Sequence, residues 1–478
     1  MTSVIAYLIL SACFLLMWLV ESLGVANYFL VSLFSFLLIA YISAVFFIEL
    51  ARGADKAFLK SRPLIMLSLV FLLLQDSLLV QNGLDEFSGS MLFSALKMIY
   101  IYVLMFEVAY FFANRYLRFG VLHRVMSIAA PESDVKVTST IPIKPVTYLI
   151  VFFVVLQWGR WLYLTDLDFW NVFVELSKGR STTVLRNVVE GRGNIASLID
   201  TICELGFFAL PSLLTLRASW SRNIFSKLFF ALLICFVILV YTLKGARAPV
   251  LFSFCQVLAV LVLLDKRKVA AFFVFPTLIV FMLFVFDQMV LARVSGWGNM
   301  GTDLMSQTGR ETVGFHHDDN FYWLTNIIYF VPEKFPYTDL KTFLSVAFLN
   351  WIPRFIWPGK PKYEMEHVWP ERLPWTSESI VGDLYWVGGV FAILIGSVLH
   401  AFVASSLDDN LSNAKRNPYY AVLYLVLTLL LLMATRAVFA LTSWSYYFFA
   451  VWLSFFVIKF FVAYKLKRYV GSGFVRGS

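Results

Sequence analysis

Apolar runs of about 20 residues recur along this chain, parted by short polar joints, and that is the length a helix needs to cross a hydrocarbon layer. The runs are continuous, without the apolar–polar alternation of a strand in a membrane barrel, so they predict helices. Spans are placed at Val4–Val20, Tyr28–Phe47, Leu64–Val80, Met91–Phe112, Val146–Leu164, Ile195–Leu216, Leu228–Leu243, Val250–Leu264, Val269–Val290, Ile380–Val403, Tyr419–Phe439 and Tyr446–Phe461. The pattern changes over Leu291–Ser379, where the apolar pieces Asn320–Val331 and Thr342–Leu349 are too short to span. Those pieces are expected to be re-entrant or to lie at the membrane surface. A connector this long is usually functional. The expected fold is an all-α polytopic membrane protein of about 12 transmembrane helices. It divides into the first nine spans over 1–290, the long loop over 291–379, and the last three spans over 380–470. The stretch 471–478 reads as an appended remnant.

Composition agrees. Of 478 residues, 60% are hydrophobic and 14% charged, and the mean hydropathy is +0.78; no soluble domain has this balance. Charge then orients the spans. Arg52, Lys56, Lys60 and Arg62 follow the second span, and Arg115, Arg118 and Arg124 follow the fourth. Further clusters are Arg217, Arg222 and Lys227, then Lys266, Arg267 and Lys268, then Lys465, Lys467 and Arg468. Intervening joints carry Glu21, or Asp85 and Glu86. The positive-inside rule puts the basic joints and both termini in the cytoplasm. The net charge of +9 is therefore topological, and no basic soluble module suggests nucleic acid as a partner. The four cysteines lie within spans, without disulfide or metal-ligand spacing. Leu10-Ser11-Ala12-Cys13 looks like a lipoprotein cleavage site, but no basic residue precedes it and the apolar run continues. The first helix reads as an uncleaved anchor.

Two segments, Thr165–Asn194 and Leu291–Ser379, fall outside the cytoplasm on this scheme, and both are rich in cations. They hold Arg180, Arg186 and Arg192, then Arg293, Arg310, Arg354, Lys360, Lys362 and Arg372. Arg247, in K-G-A-R-A-P, and Arg160 and Arg436 sit near the same ends of their spans. Snorkelling is the plain explanation for any one of them. Arginines gathered on one face suit a multiply charged anion, because guanidinium binds phosphate in bidentate fashion and stays charged. A lipid pyrophosphate at the interface is the natural ligand. The centre of the long loop, N-W-I-P-R-F-I-W-P-G-K-P over Asn350–Pro361, cannot continue a helix and reads as a rigid surface loop with two cations.

Four local patterns resemble the bacterial oligosaccharide repeat-unit polymerases, the O-antigen and enterobacterial-common-antigen (Wzy) type. They are Lys244-Gly245-Ala246-Arg247-Ala248, Arg310-Glu311-Thr312, the I-P-R-F-I-W-P-G-K-P stretch from Ile352 to Pro361, and I-V-G-D-L-Y-W-V-G-G from Ile380 to Gly389. Arg180 and Gly191 match an arginine-to-glycine spacing of such polymerases. The resemblance implies a metal-independent, GT-C-like glycosyltransferase of the bacterial inner membrane, acting on the periplasmic side in lipopolysaccharide biosynthesis. It would join repeat units carried on undecaprenyl pyrophosphate, which serve as donor and acceptor. A flippase and a chain-length regulator would be partners, and no cofactor is implied.

Such chemistry needs the leaving diphosphate neutralised, which guanidinium groups can do without a metal. Arg247, Arg293, Arg310 and Arg436 are the first candidates, with Arg180, Arg354 and Lys360 behind them. The acceptor hydroxyl needs a base, and His316, His317, Asp318, Asp319, Glu378 and Asp383 are the candidates. Asp383 has an equally good plain reading as the anionic cap of its own helix. Asp166-Leu167-Asp168 has the form of a metal-binding triplet, outweighed here by the arginines, and Asp408-Asp409 reads as a solvated turn. No nucleotide-binding glycine motif occurs. Two other readings stand beside the polymerase: an O-antigen ligase-type transferase, and a lipid-linked oligosaccharide flippase or transporter.

Overall fold

A computed structural model describes residues 2–53, 59–79, 84, 87–116, 121–129, 143–177, 194–221, 223–243, 250, 252–254, 256–257, 320–349, 357, 359, 379–438, 445 and 447–461. Among these residues there is no strand. The helices are α1 (Thr2–Ser22), α2 (Tyr28–Arg52), α3 (Ser61–Leu69), α4 (Gln75–Leu79), α5 (Gly89–Tyr116), α6 (Val121–Ala129), α7 (Ile143–Leu164) and α8 (Phe169–Ser177). There follow α9 (Asn194–Trp220), α10 (Ile224–Leu243), α11 (Asn320–Phe330), α12 (Leu340–Leu349), α13 (Ser379–Asp408), α14 (Leu411–Ala414) and α15 (Pro418–Arg436). The last is α16 (Tyr447–Phe461).

Among the described residues, six helical stretches are long and apolar enough to cross a membrane: Tyr28–Arg52, Gly89–Tyr116, Lys144–Tyr163, Ile224–Leu243, Ser379–Ala414 and Tyr419–Arg436. Side chains such as Phe29, Phe36, Phe229 and Phe391 stand exposed on them, as suits helices whose solvent is lipid. The described residues are those of an all-α, membrane-spanning protein. The expected spans Val250–Leu264, mostly, and Val269–Val290, wholly, lie outside the described residues.

Helix ends follow local chemistry. Asn27 caps α2 by accepting from Leu30 N at 3.0 Å, and Asn417 caps α15 by accepting from Tyr419 N at 3.0 Å. Pro418 then takes the first helical position, where its missing N–H costs nothing.

The chain divides into two units, the first made of 1–122, 316–411 and 427–445. Its centre is α5 against α13, with α1, α2, α3 and α11 around them. Phe34 meets the edge of Phe93 with centroids 5.6 Å apart, and Tyr100 donates to the Phe34 carbonyl at 2.7 Å. Inside the core, Tyr102 Oη and His400 Nδ1 share a 2.5 Å hydrogen bond. At the end of the unit where α2 finishes, Asp408 is buried. It accepts from Ser61 N at 2.6 Å and from Tyr110 Oη at 2.7 Å. This corrects the expectation of a solvated turn: Asp409 is exposed, but Asp408 holds the first turn of α3. Beside it Arg62 makes a two-pronged bond to Glu107, at 3.0 and 2.6 Å, and Glu49 receives Arg52 at 2.7 Å.

Two further departures concern the spans. Between α3 and α4 the helix runs through a π-helical turn, Val70–Leu74. The expected single span Ile380–Val403 is broken. Gly388 and Gly389 have non-helical backbone angles, and Gly389 has φ +59°. Leu384 packs onto bare Gly396, where a Cβ would lie 2.5 Å from its methyl groups. A straight helix would hold those positions, twelve residues apart, about 18 Å from each other. The arm 379–387 therefore folds back against the start of the arm 390–408.

The second unit is made of 123–315, 412–426 and 446–478. Here α9 packs against α7 and α10, and Tyr447 of α16 stacks between Phe208 and Phe252, with centroids 3.8 and 4.6 Å away. Lys459 closes the end of α6 by donating to the Ser127 and Ile128 carbonyls at 2.8 and 3.2 Å.

Candidate functional site

Within the first unit, three irregularities meet around the folded-back arm of α13. The arm opens at Ser379, which has φ +64° and whose hydroxyl accepts from Gly382 N at 3.2 Å. Ser379 is thus the cap of this arm. Asp383, one turn in, is fully buried and reaches away from its own helix: Oδ2 accepts from Val438 N at 2.6 Å. Val438 lies just past the end of α15, two residues after Arg436. The cap reading of Asp383 therefore gives way to a tie between two helix ends.

At the other end of the arm, the residues following α11 dock on the helix break. Thr338 N donates to the Trp386 carbonyl at 2.9 Å, taking an acceptor that the missing helical turn would have used. The Tyr337 hydroxyl comes so close to Gly389 that a Cβ there would lie 2.9 Å from it. Trp386 is buried against Ile327 and Val331, with Phe335 and Tyr385 alongside. The third irregularity is the π turn, which packs against α11. Just before it, Ser68 bonds Thr435 Oγ1 at 2.8 Å, one residue ahead of Arg436. Breaks and π turns in membrane helices persist where neighbouring groups satisfy the freed backbone, and both recur at functional sites.

Of the two short loop helices expected at the surface or re-entrant, α11 is built into the unit, with Phe321, Leu324 and Ile327 fully buried. In α12, Leu340 and Leu344 are exposed, as at a membrane surface. Asp339 caps it, accepting from Thr342 N at 2.9 Å. The Thr342 and Lys341 amides hold its carboxyl below the usual range.

Two of the residues singled out from the sequence, Asp383 and Arg436, are thus brought to one place, Arg436 half-buried at the end of α15. Arg180, Arg247, Arg293, Arg310, Arg354 and Lys360 lie outside the described residues, as do His316, His317, Asp318, Asp319 and Glu378. In the second unit Arg160 is half-buried on α7. The Asp166-Leu167-Asp168 triplet turns the chain, with Asp166 at φ 54° and Leu167 at φ 64°. Asp168 caps α8, accepting from Trp170 N at 2.8 Å. Among the described residues, no three metal-ligating side chains come together.

The π turn and the residues that dock on the break escaped the sequence reading. The V-F-L-L-L run of the π turn carries no signal. The adjacent glycines Gly388-Gly389 do, since paired glycines inside a span mark a place where a helix can turn.

The chain matches no known family model, no curated protein and no solved structure.

Proposed function

We propose that this protein polymerises oligosaccharide repeat units carried on undecaprenyl pyrophosphate, on the periplasmic face of the bacterial inner membrane. The observation carrying the reading is the tie from Asp383 to Val438, which joins the arm bearing one expected site residue to the helix end bearing another. In this reading the chain has about twelve spans and a GT-C-like arrangement. The cations Arg247, Arg293, Arg310 and Arg436 take the diphosphate, with Arg180, Arg354 and Lys360 around them. A hydroxyl of the acceptor glycan attacks the anomeric carbon of the donor. The bond to the diphosphate oxygen breaks, polyprenyl pyrophosphate leaves with the electron pair, and the hydroxyl proton passes to a base. Among the base candidates, His316, His317, Asp318, Asp319 and Glu378 stand in the loop or next to the arm. Asp383, buried and bonded to backbone, serves by positioning Arg436. No metal takes part, because guanidinium charge does its work.

The helix break favours a second reading, since discontinuous helices also build transporter sites. One experiment separates the readings. The purified protein is incubated in liposomes with a lipid-linked repeat unit. A ladder of longer lipid-linked products supports the polymerase, and transfer to lipid A core supports the ligase. Unchanged glycan with altered sidedness supports the flippase and overturns the proposal. Arg247→Ala and Arg310→Ala are expected to abolish the ladder, and excess chelator to leave it intact.

A further inference from the structure

The second unit carries a feature that the polymerase reading does not use. Thr147, Tyr148, Val151, Phe152, Val155 and Leu156 line a groove of about 510 Å³ on α7. The spacing puts them in two adjoining rows on one helix face. Apart from the Thr147 and Tyr148 hydroxyls the groove is apolar, and Tyr148, Val151, Phe152 and Val155 are exposed. Its walls run for about 14 Å along the helix, comparable to a good part of one leaflet.

A cation closes one end. Arg217, in the last turn of α9, donates from Nε to Thr147 Oγ1 at 3.3 Å. Its guanidinium lies over the Phe230 ring, 5.0 Å from the centroid. These contacts fix the plane of the group. Among the described residues no carboxylate lies within ion-pair distance of it, and its Nη groups have no hydrogen-bond partner. Lys144, in the first turn of α7, and Lys227, in the first turn of α10, are both exposed. They belong to the same end of the unit, because Arg217 touches the beginnings of both helices.

We propose that this groove is a binding site for an anionic phospholipid. One acyl chain lies along the groove, and the phosphate meets Arg217 with Lys144 and Lys227 nearby. An acyl chain of any lipid satisfies the groove. The held guanidinium, lacking a carboxylate, selects a phosphate whose charge is not cancelled by its own headgroup. The proposal concerns lipid selection and stands whether or not the protein is a polymerase.

The test is native mass spectrometry of the full-length protein in detergent, offered phosphatidylglycerol or phosphatidylcholine of identical acyl chains. Wild type is expected to retain phosphatidylglycerol about five-fold better, the factor that one juxtamembrane cation contributes. Arg217→Gln should remove the preference, and Val151→Trp, an exposed position, should lower retention of both lipids by filling the groove. Equal retention of the two lipids by wild type overturns the proposal, as does a preference undiminished in Arg217→Gln. Should Arg217→Gln fail to insert, unchanged retention in Val151→Trp overturns the groove as the site.

Discussion

Asp383 Oδ2 accepts a 2.6 Å hydrogen bond from the backbone N–H of Val438, a contact between residues 55 positions apart in sequence. A buried carboxylate that accepts from a distant backbone amide acts as a positioning device. It ties the short arm of α13 to the chain just beyond Arg436. Removing the side chain leaves the amide without its acceptor in a buried place, at a cost of about 1–3 kcal/mol. On the proposed function, Asp383→Ala is expected to insert normally but to lose polymer length and yield in the liposome assay. Asp383→Asn, which keeps an acceptor oxygen, should retain part of both. Wild-type ladders from Asp383→Ala would mean that the tie does not serve the reaction.

The paired glycines of α13 should respond differently to the same substitution. Gly389 has φ +59° and ψ −144°, a region that L side chains avoid, and a new Cβ would press on Tyr337 Oη. Gly388→Ala would meet only the Ala392 methyl, at 3.4 Å, in ordinary contact. Gly389→Ala is expected to destabilise the fold by about 1–3 kcal/mol, seen as a lower unfolding midpoint in detergent by circular dichroism. Gly388→Ala should leave the midpoint nearly unchanged. Adding Tyr337→Phe to Gly389→Ala should recover only the part due to the hydroxyl. Equal midpoints for the two alanine variants would contradict the break as described.

The ion pair between Arg62 and Glu107 makes a stability prediction independent of function. Glu107 is fully buried and Arg62 nearly so, at 13% side-chain exposure. Removing Glu107 breaks both bonds and leaves Arg62 with the more distant Glu49, 3.8 Å away, so Glu107→Ala is expected to cost about 1.5–3 kcal/mol. Replacing both by apolar residues of similar volume should cost less than the single change. The unfolding midpoints of the single and double variants decide it, and a double variant worse than Glu107→Ala would contradict the explanation.

Asp339 predicts a pH effect at the start of α12. Its carboxyl is held below the ordinary 3.8, first by the Thr342 amide and then by that of Lys341. A depressed carboxyl stabilises above its unfolded value and loses that contribution as pH falls through the folded one. Protection of the Thr342 and Phe343 amides should therefore be full at neutral pH and decline below about pH 4. In Asp339→Ala protection should be weaker at neutral pH and flat across that range. A decline of equal size in the variant would assign the effect to another group.

Much of the architecture was legible because hydrophobic length is a one-dimensional property. In the described residues every expected span from Val4–Val20 to Leu228–Leu243 coincides with helix, Leu64–Val80 as far as residue 79, and so do Tyr419–Phe439 as far as Arg436 and Tyr446–Phe461 from 447 on. The short pieces of the long loop were also legible, Asn320–Val331 appearing as Asn320–Phe330 and Thr342–Leu349 as Leu340–Leu349. A run of apolar residues must bury its backbone polar groups within itself wherever it is, so helix follows from sequence alone.

Tertiary structure decided what those helices do to one another. The sequence permits a turn at Gly388-Gly389, but only the packing of Leu384 on Gly396 and the bond from Thr338 to Trp386 make it a fold-back rather than a straight span. Composition marks Asp383 and Asp408 as acidic residues near helix ends. Their partners, Val438 for one and Ser61 with Tyr110 for the other, come from distant parts of the chain. The reason is range: periodicity and charge bias act over a few helical turns, whereas a buried carboxylate finds its donors only once separate helices have packed.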